Sequence, residues 1–201
     1  MALTVLFDAN VLYPIALADF FLTVALETNL FRPHWSTEIL DEVGRNLQNN
    51  RPDLAEGQVR SRLDAMNRAA PDALVDPPSE LVNAMTNPED DRHVLAAAVV
   101  AQASVIVTFN LRDFPSEACE PYGIEARHPD EFVANLVDLD PEGLWCAVES
   151  MASRRHRPPA TPNELCDRLS SDMPNAIRAL RISRSEPGRP DNPHGGRSAA
   201  P

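Results

Sequence analysis

The chain of 201 residues contains no lysine, and all 18 of its basic residues are arginines. That absence excludes mechanisms whose central group is a lysine amine, such as Walker-type phosphate loops and Schiff-base enzymes. Cysteine is scarce: Cys119, Cys146 and Cys166 are odd in number and widely spaced, which fits neither a disulfide framework nor a zinc site. They read as small reduced hydrophobes. No stretch approaches the roughly 20 consecutive apolar residues of a membrane span, and the first apolar run lacks the basic start and small-residue cleavage site of a signal peptide. Internal repeats and heptads are absent too. A soluble cytoplasmic protein with no membrane partner is the expectation.

Positive charge is also short. A net charge of −12 argues against a nucleic-acid partner, because phosphate binding rests on Lys and Arg. Its distribution weakens that objection. Residues 1–150 carry 9 Arg against 25 acidic residues, a balance of −16, whereas residues 151–201 carry 9 against 5, a balance of +4. Part of the acidic excess sits in clusters that a cation would make attractive to phosphates.

What is present is a 43% apolar chain long enough for one good core and a small appendage. Residues 4–7 read as a buried parallel strand, followed by a helix over 11–30 with Pro14 in its first turn. Ser36 is a fitting N-cap for a helix carrying Ile39, Leu40, Val43 and Leu47 on one face, which puts Glu42 beside the apolar stripe. Residues 55–69 pattern as a helix with Val59, Leu63 and Met66 inward, and 73–76 as a second short strand ended by Pro77-Pro78. The turn at 87–91 feeds an Ala-rich helix over 92–103; a strand over 104–108 exits through a loop at 110–114, and 123–127 reads as a last strand. Residues 129–136 begin like a helix.

Strands alternating with helices imply a short parallel sheet flanked by helices, which binds ligands at the carboxyl ends of its strands. Asp8 and Asp113 both follow a strand. Residues 140–155 and 162–182 pattern as two helices of a small appendage, separated by a stretch with Arg154, Arg155 and Arg157, and 183–201 as a disordered tail. The expected division is 1–138, 139–182 and 183–201.

Four carboxylate clusters fall where such a sheet would deliver them to one cleft: Asp8, Glu42, the Asp90-Asp91 pair and Asp113. Like charges repel, so their convergence calls for a cation among them. Capping of the 92–103 helix would explain one of Glu89, Asp90 and Asp91 through the helix dipole, but not all three. Asp8-Ala9-Asn10 would also suit an aspartyl-phosphate site or receiver domain, but those usually need a lysine.

The segments Phe7-Asp8-Ala9-Asn10, Ile39-Leu40-Asp41-Glu42-Val43 with Arg45 and Leu47, Pro88-Glu89-Asp90-Asp91-Arg92-His93-Val94-Leu95-Ala96-Ala97-Ala98 and Ile106-Val107-Thr108-Phe109-Asn110-Leu111-Arg112-Asp113-Phe114 resemble the PIN-domain nucleases. Within that family the likeness is to VapC-type ribonuclease toxins that carry an extra C-terminal helical segment. The resemblance covers residues 3–137 for the PIN domain, with the segment to about 182 similar to the appendage of longer members. It implies a three-layer PIN-like α/β fold, with Asp8, Glu42, Asp91 and Asp113 as the acidic quartet and Thr108 and Asn110 supporting it. Asp90 is either a further ligand or a cap. An RNA substrate, a VapB-like antitoxin and a homodimer are likewise implied.

Hard oxygen donors suit Mg²⁺ or Mn²⁺ better than zinc, and His34, His93, His128, His156 and His194 show no ligand spacing. Asp8, Asp91 and Asp113 are therefore the expected metal ligands, with Glu42 completing the shell directly or through water, and the ion the Lewis acid for phosphodiester hydrolysis. His93 is expected to pack or lie on a helix surface. Arg112 is either a phosphate contact or a surface ion pair; Arg154, Arg155 and Arg157 either touch RNA phosphate or form a solvated linker. Three other readings stay open: a DNA or flap nuclease, which needs a larger substrate arch; a housekeeping nuclease; and a binding partner with a vestigial metal site.

Overall fold

The computed structural model describes residues 2–155 and 158–185, so Arg157 and the tail stretch 186–201 lie outside the described residues. The element order is β1 (Leu3–Phe7), α1 (Ala9–Leu12), α2 (Ile15–Thr28), β2 (Phe31–His34), α3 (Thr37–Asn50), α4 (Glu56–Ala69), α5 (Ser79–Ala84), α6 (Arg92–Val100), β3 (Val105–Val107), α7 (Ser116–Cys119), β4 (Glu125–Arg127), α8 (Pro129–Leu139), α9 (Pro141–Arg154), α10 (Pro162–Leu169) and α11 (Pro174–Ser185). The sheet is parallel throughout, in the order β2-β1-β3-β4. The chain leaves β1 toward β2 on one side and later returns to β3 on the other. The topological switch point therefore lies between β1 and β3, where open α/β sheets place their ligands.

Both central strands are apolar on each face because helices cover both. Val5, Leu6, Phe7, Ile106 and Val107 are fully buried. Ala96, Ala97 and Ala98 on α6 are also buried, and small side chains there let that helix approach the sheet closely. Phe7, Phe21, Phe31 and Phe132 form an aromatic cluster with ring centroids 4.8 to 6.5 Å apart. Such pairs are worth about 0.5–1.5 kcal/mol each beyond their area. Phe132 brings α8 into this core while the same helix packs against α11, so α8 joins the sheet layer to the C-terminal helices. Among the described residues no helix is long and apolar enough to cross a membrane.

Four local expectations need correction. The helix expected over 11–30 is two helices, because Pro14 adopts an extended conformation (ψ 121°) and starts α2 instead of continuing α1. The strand expected at 73–76 is a single bridge between Trp35 and Leu74, and the strand that pairs with β1 is Phe31–His34. Pro33 masks it in the sequence, yet a proline is tolerated on an edge strand whose outer N–H needs no partner. The helix expected over 162–182 breaks at a turn before Pro174, which suits the first helical turn and cannot continue a preceding helix. Helix α11 then runs to Ser185, so residues 183–185 are helical and not part of a tail.

Candidate active site

Asp8 is carried past the end of β1 by a short extended step into α1, and its backbone N–H donates to the Val107 carbonyl on β3 (3.1 Å). The residue is 4% exposed. Both side-chain donors around it go to one oxygen: Thr108 Oγ1 and Asn10 Nδ2 each donate to Oδ2 at 2.6 Å. Asn10 Nδ2 also lies 3.1 Å from Thr108 Oγ1, Asn10 Oδ1 accepts the Phe109 N–H, and Thr108 Oγ1 accepts the Asn110 N–H at 3.0 Å. This net staples the exits of β1 and β3 together. Burial raises the Asp8 pKa above the ordinary carboxylate value; the Thr108 hydrogen bond opposes the rise and nearby Glu42 adds to it.

Asp91 occupies the N-cap position of α6, but its side chain accepts no capping hydrogen bond. Ser36, Asp140 and Thr161 do cap their helices. Burial pushes the Asp91 carboxyl up to about 6, and Asp113, Asp8 and Glu42 push in the same direction while His93 opposes them. Each of those carboxylates is therefore close enough to be felt. Asp91 and Asp113 are half-buried, on the turns at Glu89–Asp91 and Leu111–Asp113. Asp90 is exposed on the first of these turns and makes no hydrogen bond or ion pair among the described residues.

Glu42 projects from α3 toward His93 on α6, with Oε1 3.0 Å from His93 Nε2 and 3.9 Å from an Arg45 nitrogen. Burial alone would lower the imidazole pKa, but Glu42, then Glu38 and Asp91, lift it above the ordinary histidine value. His93 is 4% exposed, so of the two roles expected for it packing holds and helix surface does not; it also carries the contact with Glu42. Its place two residues after Asp91 was the available signal.

Asn10 and Asn87 are further polar residues of the site that the sequence reading left without a role. Asn87 is 1% exposed, its Nδ2 donates to the Asp113 carbonyl (3.3 Å), and its own carbonyl accepts Nε of Arg92 (3.1 Å). Thr108 supports the site through its hydroxyl, whereas the exposed Asn110 contributes its backbone N–H.

The basic residues divide. Arg112 is exposed on the turn that carries Asp113 and forms no ion pair among the described residues. Arg154 donates to Thr23 Oγ1 at 2.6 Å and lies 3.8 and 3.7 Å from Asp19 and Glu27; Arg155 reaches Asp19 at 3.4 Å. Both therefore tie the end of α9 to α2, at an apolar groove of about 430 Å³ lined by Ile15, Leu22, Leu26, Met66 and Arg62. For Arg154 and Arg155 the arrangement is not that of a solvated linker.

All donors in the acidic cluster are oxygens, as hard dications prefer. Among the described residues no three carboxylate, histidine or cysteine groups close into a cage. Magnesium-type ions are ordinarily held by one or two carboxylates, waters and substrate phosphate, so an open cluster fits them.

Acids and a hydroxyl gathered at the switch point of a short parallel sheet define the class: the chain belongs to the PIN domain family, whose model matches residues 4–112. Asp8, Glu42, Asp91, Thr108, Asn110 and Arg112 fall inside that match, and Asp113 falls one residue beyond it. Residues 129–182 match the VapC50 C-terminal domain, and the two matches in this order mark a VapC-type PIN protein with a C-terminal extension. The chain is 44% identical over 105 residues to a Mycobacterium tuberculosis protein named "Putative ribonuclease VapC50". That alignment takes in 52% of this chain and 62% of the relative, less than two thirds of its length. No solved structure matches the chain.

Proposed function

We propose that the chain is an endoribonuclease of the VapC toxin type that hydrolyses RNA phosphodiesters with Mg²⁺ or Mn²⁺. The supporting observation is the gathering of acids from four segments at the switch point: burial raises the Asp91 carboxyl to about 6, and Asp113, Asp8 and Glu42 add to that rise. Carboxylates from four distant segments are disfavoured together unless positive charge joins them.

Asp8, Asp91 and Asp113 would hold the ion, and Glu42 would complete the site directly or through water. A bound dication would supply Lewis acidity toward the scissile phosphate and the attacking water. The protein's own contribution is orientation. Thr108 and Asn10 fix Asp8 through Oδ2, and Oδ1 receives no side-chain hydrogen bond among the described residues. His93 fixes Glu42 from α6. Arg112, exposed on the same turn as Asp113, would meet substrate phosphate.

A VapB-like antitoxin, a homodimer and a cytoplasmic location complete this reading. The test is cleavage of structured RNA with Mn²⁺ by the wild type, Asp8→Asn and Asp91→Asn. Loss in both variants is expected, and equal rates in all three would refute the assignment. Growth arrest on induction, relieved by a neighbouring small gene, separates a toxin from a housekeeping nuclease.

A further inference from the structure

Asn87 belongs to no acidic cluster, yet its polar side chain is buried beside one. It begins the turn that carries Asp91. From Asn87 onward the chain is closed by the Asp91 N–H donating to the Pro88 carbonyl (3.1 Å) and by Arg92 Nε donating to the Asn87 carbonyl (3.1 Å). Across 26 residues of sequence, Asn87 Nδ2 donates to the carbonyl of Asp113. The Asp113 segment is itself a tight turn, with the Asp113 N–H on the Asn110 carbonyl and buried Phe114 behind it. Two short, internally bonded turns are thus joined side to side by one carboxamide.

The other half of that carboxamide is unpaired: Asn87 Oδ1 is buried with no hydrogen-bond partner among the described residues. The gain from a donated hydrogen bond and the desolvation of an orphaned acceptor largely cancel, so the side chain adds little to folding. What it adds is a set distance between the backbones of Asp91 and Asp113. We infer that Asn87 is a positioning residue: it holds the Asp113 turn against the Asp91 turn and sets the spacing at which the two carboxylates take a divalent cation. The inference rests on the reading of these acids as the metal site. Partners that orient metal ligands commonly matter 10–100-fold to affinity or activity.

The experiment uses the full chain, stripped with EDTA, titrated with Mn²⁺ and read by the electron paramagnetic resonance signal of free Mn²⁺. Asn87→Leu keeps the branched outline and removes the donor, and Asn87→Ala serves as a second variant free of packing strain. The expected result is Mn²⁺ affinity weakened by about 10–100-fold in both. Their unfolding midpoints in EDTA stay within a few degrees of wild type, and in RNA cleavage kcat falls while KM holds. Wild-type Mn²⁺ binding by both Asn87 variants, with binding lost in Asp8→Asn, would overturn the positioning role and leave the metal site standing. Undiminished Mn²⁺ binding in Asp8→Asn and Asp91→Asn would overturn the metal site itself, and this inference with it. A collapse of both midpoints would make Asn87 a folding residue and refute the inference directly.

Discussion

Asp8 and Asp130 are both aspartates with under a tenth of their surface exposed, and the protein treats them oppositely. Asp130, in the first turn of α8, accepts from the Asn175 N–H, Asn175 Nδ2 and the Ala176 N–H at 3.3, 2.7 and 2.8 Å, so both of its oxygens are used. It satisfies the otherwise unpaired start of α11 and complements the dipole there. Asp8 has both of its side-chain donors on one oxygen and other carboxylates nearby. A buried charge that is fully paired serves the fold. A buried charge left half-paired among like charges burdens it, which is the usual mark of a site.

The comparison breaks most visibly at Asp8. Asp8→Asn keeps the shape and Thr108 as a neighbour, and is expected to lower RNA cleavage by roughly 100-fold or more while unfolding in urea stays near wild type. Unreduced cleavage would end the division of roles. Asp130→Ala should do the reverse, costing about 2–4 kcal/mol by urea unfolding because the donors at the start of α11 lose their acceptor. The protein that remains folded should cleave at the wild-type rate; a specific loss of cleavage would place α8 in the site.

Asp91 sharpens the contrast by its sign. Its folded-state pKa of about 6 lies above the ordinary 3.8, so the metal-free protein loses stability from this group as pH rises through that interval, and the penalty is complete at pH 7. Asp91→Asn should therefore raise Tm in EDTA at pH 7. The carboxylate is partly solvated, so the gain is small, about 2–4 °C, and it should vanish at pH 4. A lower Tm at pH 7 would mean that the carboxylate stabilises the fold. The smallest effects concern the arginines. Arg112→Gln should reduce the salt dependence of RNA binding by about one unit of logarithmic slope, whereas Arg154→Gln should leave it unchanged and cost under about 1 kcal/mol. Equal slopes for the two would erase the distinction between them.

Much of the site was legible before any fold. An apolar strand ending in Asp8, a capped amphipathic helix with Glu42, and a second buried strand ending in Thr108 have periods and flanks that are local properties. The missed elements depend on partners remote in sequence. Phe31–His34 is a strand because Leu3–Phe7 lies beside it, despite Pro33. Residues 73–76 lack such a neighbour and form only the Trp35–Leu74 bridge. Arg154 and Arg155 formed a basic patch on paper; Asp19 and Glu27 on α2, far away in the chain, turn them into interhelical ties.

The sequence by itself determined which acids stand at strand exits and beside helix starts, because backbone period, capping and side-chain type are set over a few residues. Tertiary structure alone decided the pairings: His93 with Glu42, Asn87 with the Asp113 carbonyl, Thr108 and Asn10 on a single oxygen of Asp8, and Asp130 with the start of α11. Electrostatic and hydrogen-bond energies depend on distances of a few ångströms between segments tens of residues apart, and those distances exist only once the sheet has assembled.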